Sequence, residues 1–358
     1  MSPMPFWPRR SRLLVVAAAV LAACTDSTGP AGPVTGAITV DASHFPAFAY
    51  LKLGTPAETV TVANPTASTL WDMGFSTTTV ILNGGAAGLG GVSGYCVCEH
   101  ANATITQLQA YANDPTKQQA VLDSVTVATI PLDPLFVSDT VFIPAINGWY
   151  TGTYGSGAIN ANRTWIIRVV RPGPPADTLL GKFHVLGVQG ETVTTPGKLK
   201  FEFAIEPAAG QPFGADVTDS ADLTGGDPVY YKFTTAGAGT SSDWEIKFDH
   251  WNIHLNGGVS GAGNVAAVVL DSPPYPPYAS ITYAAISQIP SYKLDRFGSV
   301  FDLKPWYVYD PAIMQVYTKF NVYLIKRGTT VFKVQQLSYY AANTAPRFIT
   351  VRYAKLKD

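Results

Sequence analysis

Charge is scarce in this chain: 24 Lys and Arg against 25 Asp and Glu leave a formal net charge of -1, and charged residues are 14% of the total. With no basic field to hold a phosphate backbone, nucleic-acid binding is set aside. Long helical periodicity is missing too. One weakly periodic stretch, Thr104 to Ser124, places Leu108, Tyr111, Val121 and Leu122 loosely on one face, and Asp114-Pro115 interrupts it. Catalytic constellations are also lacking. Ser156 sits between glycines in Gly152–Gly157 but not as Gly-x-Ser-x-Gly at a strand-to-helix turn. The glycines from Gly84 to Gly91 do not open a helix after a parallel strand, which makes a poor phosphate cradle. Acidic pairs such as Asp41 with Glu58, or Asp243 with Glu245, read as solvated strand-edge charges rather than as a glycosidase pair. The reading is therefore a non-enzymatic protein.

What is present favours β-structure. The chain has 18 Tyr, 17 Phe and 7 Trp, which suit half-buried pleated surfaces, and 32 Gly and 27 Pro for turns. At 358 residues it exceeds what one hydrophobic core usually spans, so two domains are expected.

The N-terminus reads as an export signal. Arg9, Arg10 and Arg12 form a cationic start, and Leu13 to Ala23 is an apolar run too short to span a membrane comfortably. It ends in Leu21-Ala22-Ala23-Cys24, which resembles the bacterial lipobox, whose cysteine is acylated after cleavage. The resemblance implies removal of the segment before Cys24 and a lipid anchor on Cys24 itself. Thr25 after the cysteine favours the outer membrane, on its periplasmic or cell-surface face. Residues 25–37 then form a flexible tether.

Only Cys96 and Cys98 remain after Cys24. Their spacing permits at best a strained local disulfide. Alternatively, Cys96, Cys98 and His100 share one face of a strand and offer soft ligands to Cu(I) or zinc, although no fourth ligand is nominated.

The informative feature is a repeat. Trp71, Phe75, Asn83, Gly84 and Gly85 recur as Trp244, Phe248, Asn256, Gly257 and Gly258, at a constant offset of 173. Further echoes follow in the same order. Trp149-Tyr150 matches Trp306-Tyr307, Trp165 to Arg168 matches Val322 to Ile325, and Phe183 to Val188 matches Phe332 to Leu337. These place one β domain at 38–206, a linker at 207–227 and a second β domain at 228–356. Within the second copy Trp244, Ile246 and Phe248 alternate with outward Glu245, Lys247 and Asp249. The phase then slips, so a bulge or sheet-switching bend is expected near His250, and Asn-Gly-Gly is expected to form a tight hairpin turn.

The run Asp243 to Gly258 resembles the signature of the HmuY-like haem-binding lipoproteins, as does the closing strand pair Phe320 to Lys326 and Thr330 to Tyr340. The resemblance covers most of 228–356 and, more faintly, 38–206, where Thr77 and Ile81 replace His250 and His254. It implies two tandem twisted antiparallel β domains that bind haem b or a related porphyrin outside the cell and pass it to a TonB-dependent outer-membrane receptor. The family's axial ligands, His or Met, lie downstream of the Asn-Gly-Gly turn. The second copy has no histidine there; it has Met314 and the tyrosines Tyr307, Tyr309 and Tyr317. His100 and His184 follow the first turn without a matching motif. His250 and His254, about 13 Å apart on a regular strand, are too distant to ligate one iron together. The candidate ligands are Met314, His100, His250 and His254. The alternative function is a surface module that binds protein or glycan and has lost haem ligation.

Overall fold

The computed structural model describes residues 35–358 except 45–46, 174–176, 271–276, 287–288 and 290–291. The expected signal, Cys24 and most of the tether lie outside the described residues.

The protein is all-β, as expected, and its strands form antiparallel sheets. One five-stranded sheet runs Thr35–Asp41, Pro346–Lys357, Thr330–Tyr340, Val322–Arg327 and Val92–Val97. A second has the same plan: Val217–Asp222, Lys198–Ile205, Asp177–Gln189, Thr164–Arg171 and Val265–Leu270. Each faces a four-stranded sheet. The first of these joins Glu58–Val60, Ala49–Lys52, Met73–Ser76 and Thr79–Leu82; the second joins Gly237–Ala238, Val229–Lys232, Ile246–Asp249 and Asn252–Leu255.

The cores between these sheets are not the two halves of the sequence. The first packs Phe75, Val80 and Leu82 against Tyr323, Val334 and Val351. The second packs Trp165, Phe183 and Phe201 against Phe248, Ile253 and Leu255. Each core therefore joins the front of one copy to the back of the other. Val92–Val97 pairs with Val322–Arg327, and Val265–Leu270 pairs with Thr164–Arg171. This corrects the expected division into 38–206 and 228–356. The 207–227 segment is not a free linker either, because Val217–Asp222 is hydrogen-bonded to Lys198–Ile205 and Leu223 lies in the same core as Tyr231. Periodicity shows that a strand has a buried face, but it does not choose the strand's partner. A short ribbon, Val141–Ile143 with Arg296–Gly298, joins the two units and pairs Phe142 with Phe297.

Register also refines the repeat. Val97 lies opposite Val322 and Leu270 opposite Thr164, so Trp165 takes the place of Tyr323 rather than Val322. Both rings are fully buried, which is what the inward position selects.

The phase slip near His250 is a two-residue turn. Asp249 pairs with Asn252 across His250 and Trp251, and His250 has φ 51°. Thr77, with φ 54°, does the same where Ser76 pairs with Thr79. The turn reverses the chain and resets the inward parity without a bulge.

Asn-Gly-Gly is likewise not a hairpin. It is the corner where the chain leaves a four-stranded sheet for a five-stranded one. A β-carbon on Gly84 would stand 2.2 Å from the Val92 carbonyl oxygen, and one on Gly257 2.4 Å from that of Val265. Only glycine admits so close an approach.

The outer face of the first five-stranded sheet is covered by helices Ile105–Ala112 and Pro115–Ser124. These realise the weak helical stretch. Asp114 caps the second helix by accepting from Thr116 N and Lys117 N at 3.1 Å, so the expected interruption is a helix boundary. Val121 and Leu122 pack on Val322 and Leu324, and Lys333 Nζ donates to the carbonyls of Leu122 and Val125 at 2.9 and 3.1 Å. Both carbonyls lie at the helix C-terminus, where a cation is favourable, and that of Leu122 also accepts from Val125 N at 3.3 Å.

Candidate functional site

The residues that carry the family resemblance are framework. Asn83 Nδ2 donates to the carbonyl of Trp71 at 2.8 Å while its Oδ1 accepts from Gly90 N at 3.0 Å. Asn256 repeats this with Trp244 and Gly263 at 2.8 and 2.9 Å. The residue after each tryptophan is buried and holds the neighbouring strand: Asp72 accepts from Leu53 N at 2.7 Å, and Glu245 from Thr234 N at 2.7 Å. Glu245 is thus not the outward, solvated charge its alternation suggests. A second carboxylate closes each corner. Asp139 accepts from Leu82 N at 2.7 Å, and Asp295 from Leu255 N at 2.9 Å. Neither aspartate was singled out from sequence, because no motif surrounds it.

The histidines are dispersed. His250 is exposed in its turn and bonded to Asp249 at 2.7 Å. His254 is half-buried, its ring 4.6 Å from that of Phe142 and its Nδ1 3.1 Å from Ser260 Oγ. Desolvation, helped by the Lys247 charge, pushes its pKa down to about 4. His100 packs on Tyr111 at 4.3 Å. His184 stacks on Tyr278 at 3.9 Å and bonds Glu202 at 2.9 Å. The turn at His250 takes that residue off the strand on which the spacing to His254 was reckoned.

Cys96 and Cys98 are bonded to each other as a disulfide, with Cα atoms 5.2 Å apart. Their sulfurs are therefore spent as thiolate ligands, which corrects the Cys96, Cys98 and His100 metal reading. Among the described residues no group of three or more His, Cys, Asp or Glu is arranged to hold a metal ion.

Met314 stands apart from all of these. It occupies the turn between Tyr307–Asp310 and Gln315–Thr318 with φ 52°, and it is 77% exposed. Ile313 and Tyr309 beside it are also exposed, at 54% and 50%. The turn is shaped by Asp310, whose Oδ1 accepts from Ala312 N at 3.0 Å. Its base is fixed to the sheet: Val316 N donates to Tyr340 Oη at 2.9 Å, and Thr318 Oγ1 to the Leu337 carbonyl at 3.3 Å. Tyr307 packs on Trp306, whose indole N–H donates to the Thr78 carbonyl at 2.9 Å. Tyr317 is held by Gln109 and Gln315 at 3.2 and 2.9 Å. A rigid stalk therefore presents a thioether, an aliphatic side chain and a phenol face to solvent. Thioether sulfur is a soft donor suited to haem iron, and the flanking apolar surface suits a flat macrocycle. Ile313 was not foreseen; the run Asp310 to Met314 carries no sign of which side chains the turn leaves uncovered.

The matching hairpin of the second unit, Tyr150–Thr151 with Ala158–Ile159, has no methionine. Its loop instead lays Tyr154 on Trp251 at 4.5 Å and 11°, with Trp149 stacked on the same indole at 5.6 Å. The two units thus share a scaffold and differ at this end.

No protein-family model and no curated protein matches the sequence. Among solved structures, the chain is similar to a protein of Bacteroides fragilis described as a lipoprotein, at 16% identity, 38% of this chain, 76% of that one and a TM-score of 0.16. It is also similar to a Bacteroides vulgatus protein described as HmuY-like and heme-binding, at 15% identity over 35% of this chain and 83% of that one, with a TM-score of 0.16.

Proposed function

We propose that this is a non-enzymatic, lipid-anchored surface protein, built by duplication of one β module, that captures haem or a related porphyrin at the Met314 hairpin. The single observation that carries the reading is the exposure of Met314 on a fixed turn, flanked by Ile313 and Tyr309. A long apolar side chain gains nothing from packing there, whereas its sulfur is free to serve as an axial donor to iron. The resemblance of Asp243 to Gly258 to the HmuY-like signature supplies the ligand class, the lipobox-like Leu21 to Cys24 supplies the anchor, and Thr25 after it supports the outer-membrane location. Delivery to a TonB-dependent receptor follows from the same resemblance.

The test is a spectral titration of the mature protein with haemin. The expected result is a Soret change at micromolar haemin that Met314→Ala removes while the fold is retained. If wild type leaves the haemin spectrum unchanged, the haem reading fails, and binding of the protein to other proteins or to glycans becomes the function to measure.

A further inference from the structure

The segment Val127 to Phe136 faces both ways. Ile130 and Phe136 turn inward to the cluster containing Leu122 and Leu356. Leu132, Val127 and Leu135 turn outward and are 79%, 55% and 53% exposed. The outward side chains are not on a floppy loop. Two 3-10 turns, Val127–Thr129 and Asp133–Leu135, shape the segment, Pro131 and Pro134 stiffen it, and Asp133 is paired with Lys326 at 2.6 Å. Holding apolar side chains rigidly in water is unfavourable and marks an interaction surface.

Position says what the surface meets. The segment forms a cleft of about 560 Å³ with Lys357. Lys357 lies opposite Val331, and Thr35 lies opposite Ala354, so the chain enters the sheet at this same end. Two more exposed leucines belong to it. Leu89 precedes Val92, which is opposite Arg327, and Leu70 precedes Asp72, which is paired with Arg327 at 2.6 Å. Met314 is at the other end, past Tyr340, about 33 Å away along the strand Thr330–Tyr340.

Eleven residue steps separate Cys24 from Thr35. Eleven steps reach at most about 38 Å, close to the length of the sheet. An acyl group on Cys24 therefore holds the Thr35 end within that reach of the bilayer.

We infer that this end of the molecule is a membrane-contact face: Leu132, Leu135 and Val127 enter the interfacial layer of a phospholipid bilayer, with Lys357 among anionic headgroups. The inference rests on the Cys24 anchor of the proposed function. It orients the Met314 hairpin away from the membrane. A rigid insertion loop also fixes the orientation that an acyl anchor alone leaves free.

The experiment compares Leu132→Trp with Ile313→Trp in the mature protein, reconstituted into vesicles of phosphatidylethanolamine and phosphatidylglycerol with brominated acyl chains. Both sites are exposed, so neither change disturbs the core. The fluorescence added by Leu132→Trp is expected to fall about twofold relative to unbrominated vesicles, because contact quenching needs the indole among the acyl chains, while Ile313→Trp is unaffected. The mass of the N-terminal peptide reports acylation of Cys24 separately. Unquenched Leu132→Trp overturns the inference whether or not Cys24 is acylated. An unacylated Cys24 with quenched Leu132→Trp removes the anchor and leaves the contact face standing.

Discussion

Asp139 and Asp295 occupy matching corners, yet the same substitution at each should act in opposite directions. Asp139 is 1% exposed, and desolvation pushes its pKa from 3.8 up to about 7, with Asp302 adding to the rise and Arg296 opposing it. Its Oδ2 accepts from Leu82 N, while its Oδ1 has no hydrogen-bond partner among the described residues. A carboxyl whose folded pKa is raised favours folding fully below pH 3.8. That contribution is lost as the pH climbs to 7, because the unfolded chain ionises first. At about 1.36 kcal/mol for each pH unit, the loss reaches about 4 kcal/mol above pH 7. Asp139→Asn removes it and keeps an acceptor for Leu82, at a cost of about 1–3 kcal/mol for an amide group without a partner. The variant should therefore be more stable than wild type by about 1–3 kcal/mol at pH 8, and equal or less stable at pH 4. Asp295 is also raised by burial, but both its oxygens are in use, from Ala145 N at 2.8 Å and Leu255 N at 2.9 Å. An amide there turns a donor toward an N–H, so Asp295→Asn should lose about 2–4 kcal/mol at pH 4 and less at pH 8, where the ionised wild-type carboxyl bears its own desolvation cost. Denaturant unfolding followed by circular dichroism measures all four differences. The reasoning is refuted if the two variants shift the midpoint in the same direction at pH 8, or if the Asp139→Asn offset does not change with pH.

The other predictions concern single sites. Asn256→Ala removes the bonds to Trp244 and Gly263 and should cost about 2 kcal/mol in denaturant unfolding, and Asn83→Ala should cost a similar amount for the same reason. His254 should remain neutral in NMR titrations until the pH approaches about 4. Because its folded pKa is lowered from 6.5, its contribution to stability falls as the pH drops from 6.5 toward 4, and His254→Phe should flatten that part of the profile. Replacing Cys96 and Cys98 together by serine should lower stability by no more than about 2 kcal/mol, since the disulfide closes a very short loop.

Much of the β architecture was legible. The alternation of Ile246 and Phe248, the aromatic content and the Asp114-Pro115 boundary each carry a local cause that the structure realises. The pairing of halves was not legible. Phe75 and Phe248 show that their strands have a buried face, but nothing local tells Phe75 to meet Tyr323 rather than Trp165. The function of the repeated motif was hidden for a related reason. A recurring Trp, Asn and Gly-Gly looks the same whether it holds a ligand or a corner, and the bonds of Asn83 and Asn256 show a corner. Asp139 and Asp295 lie far along the chain from the backbone groups they hold, so nothing in their local context marks them. Met314 was found because it is the one soft donor downstream of the second corner, although its exposure came only from the fold.

The most direct test of ligand capture at the Met314 hairpin is the proton NMR spectrum of the mature protein with haem bound and its iron reduced. A methionine methyl group held over a porphyrin is moved far upfield by the ring current. The account predicts one such methyl resonance, absent in Met314→Ala. Haem bound with no upfield methyl, or with one that survives Met314→Ala, would contradict it.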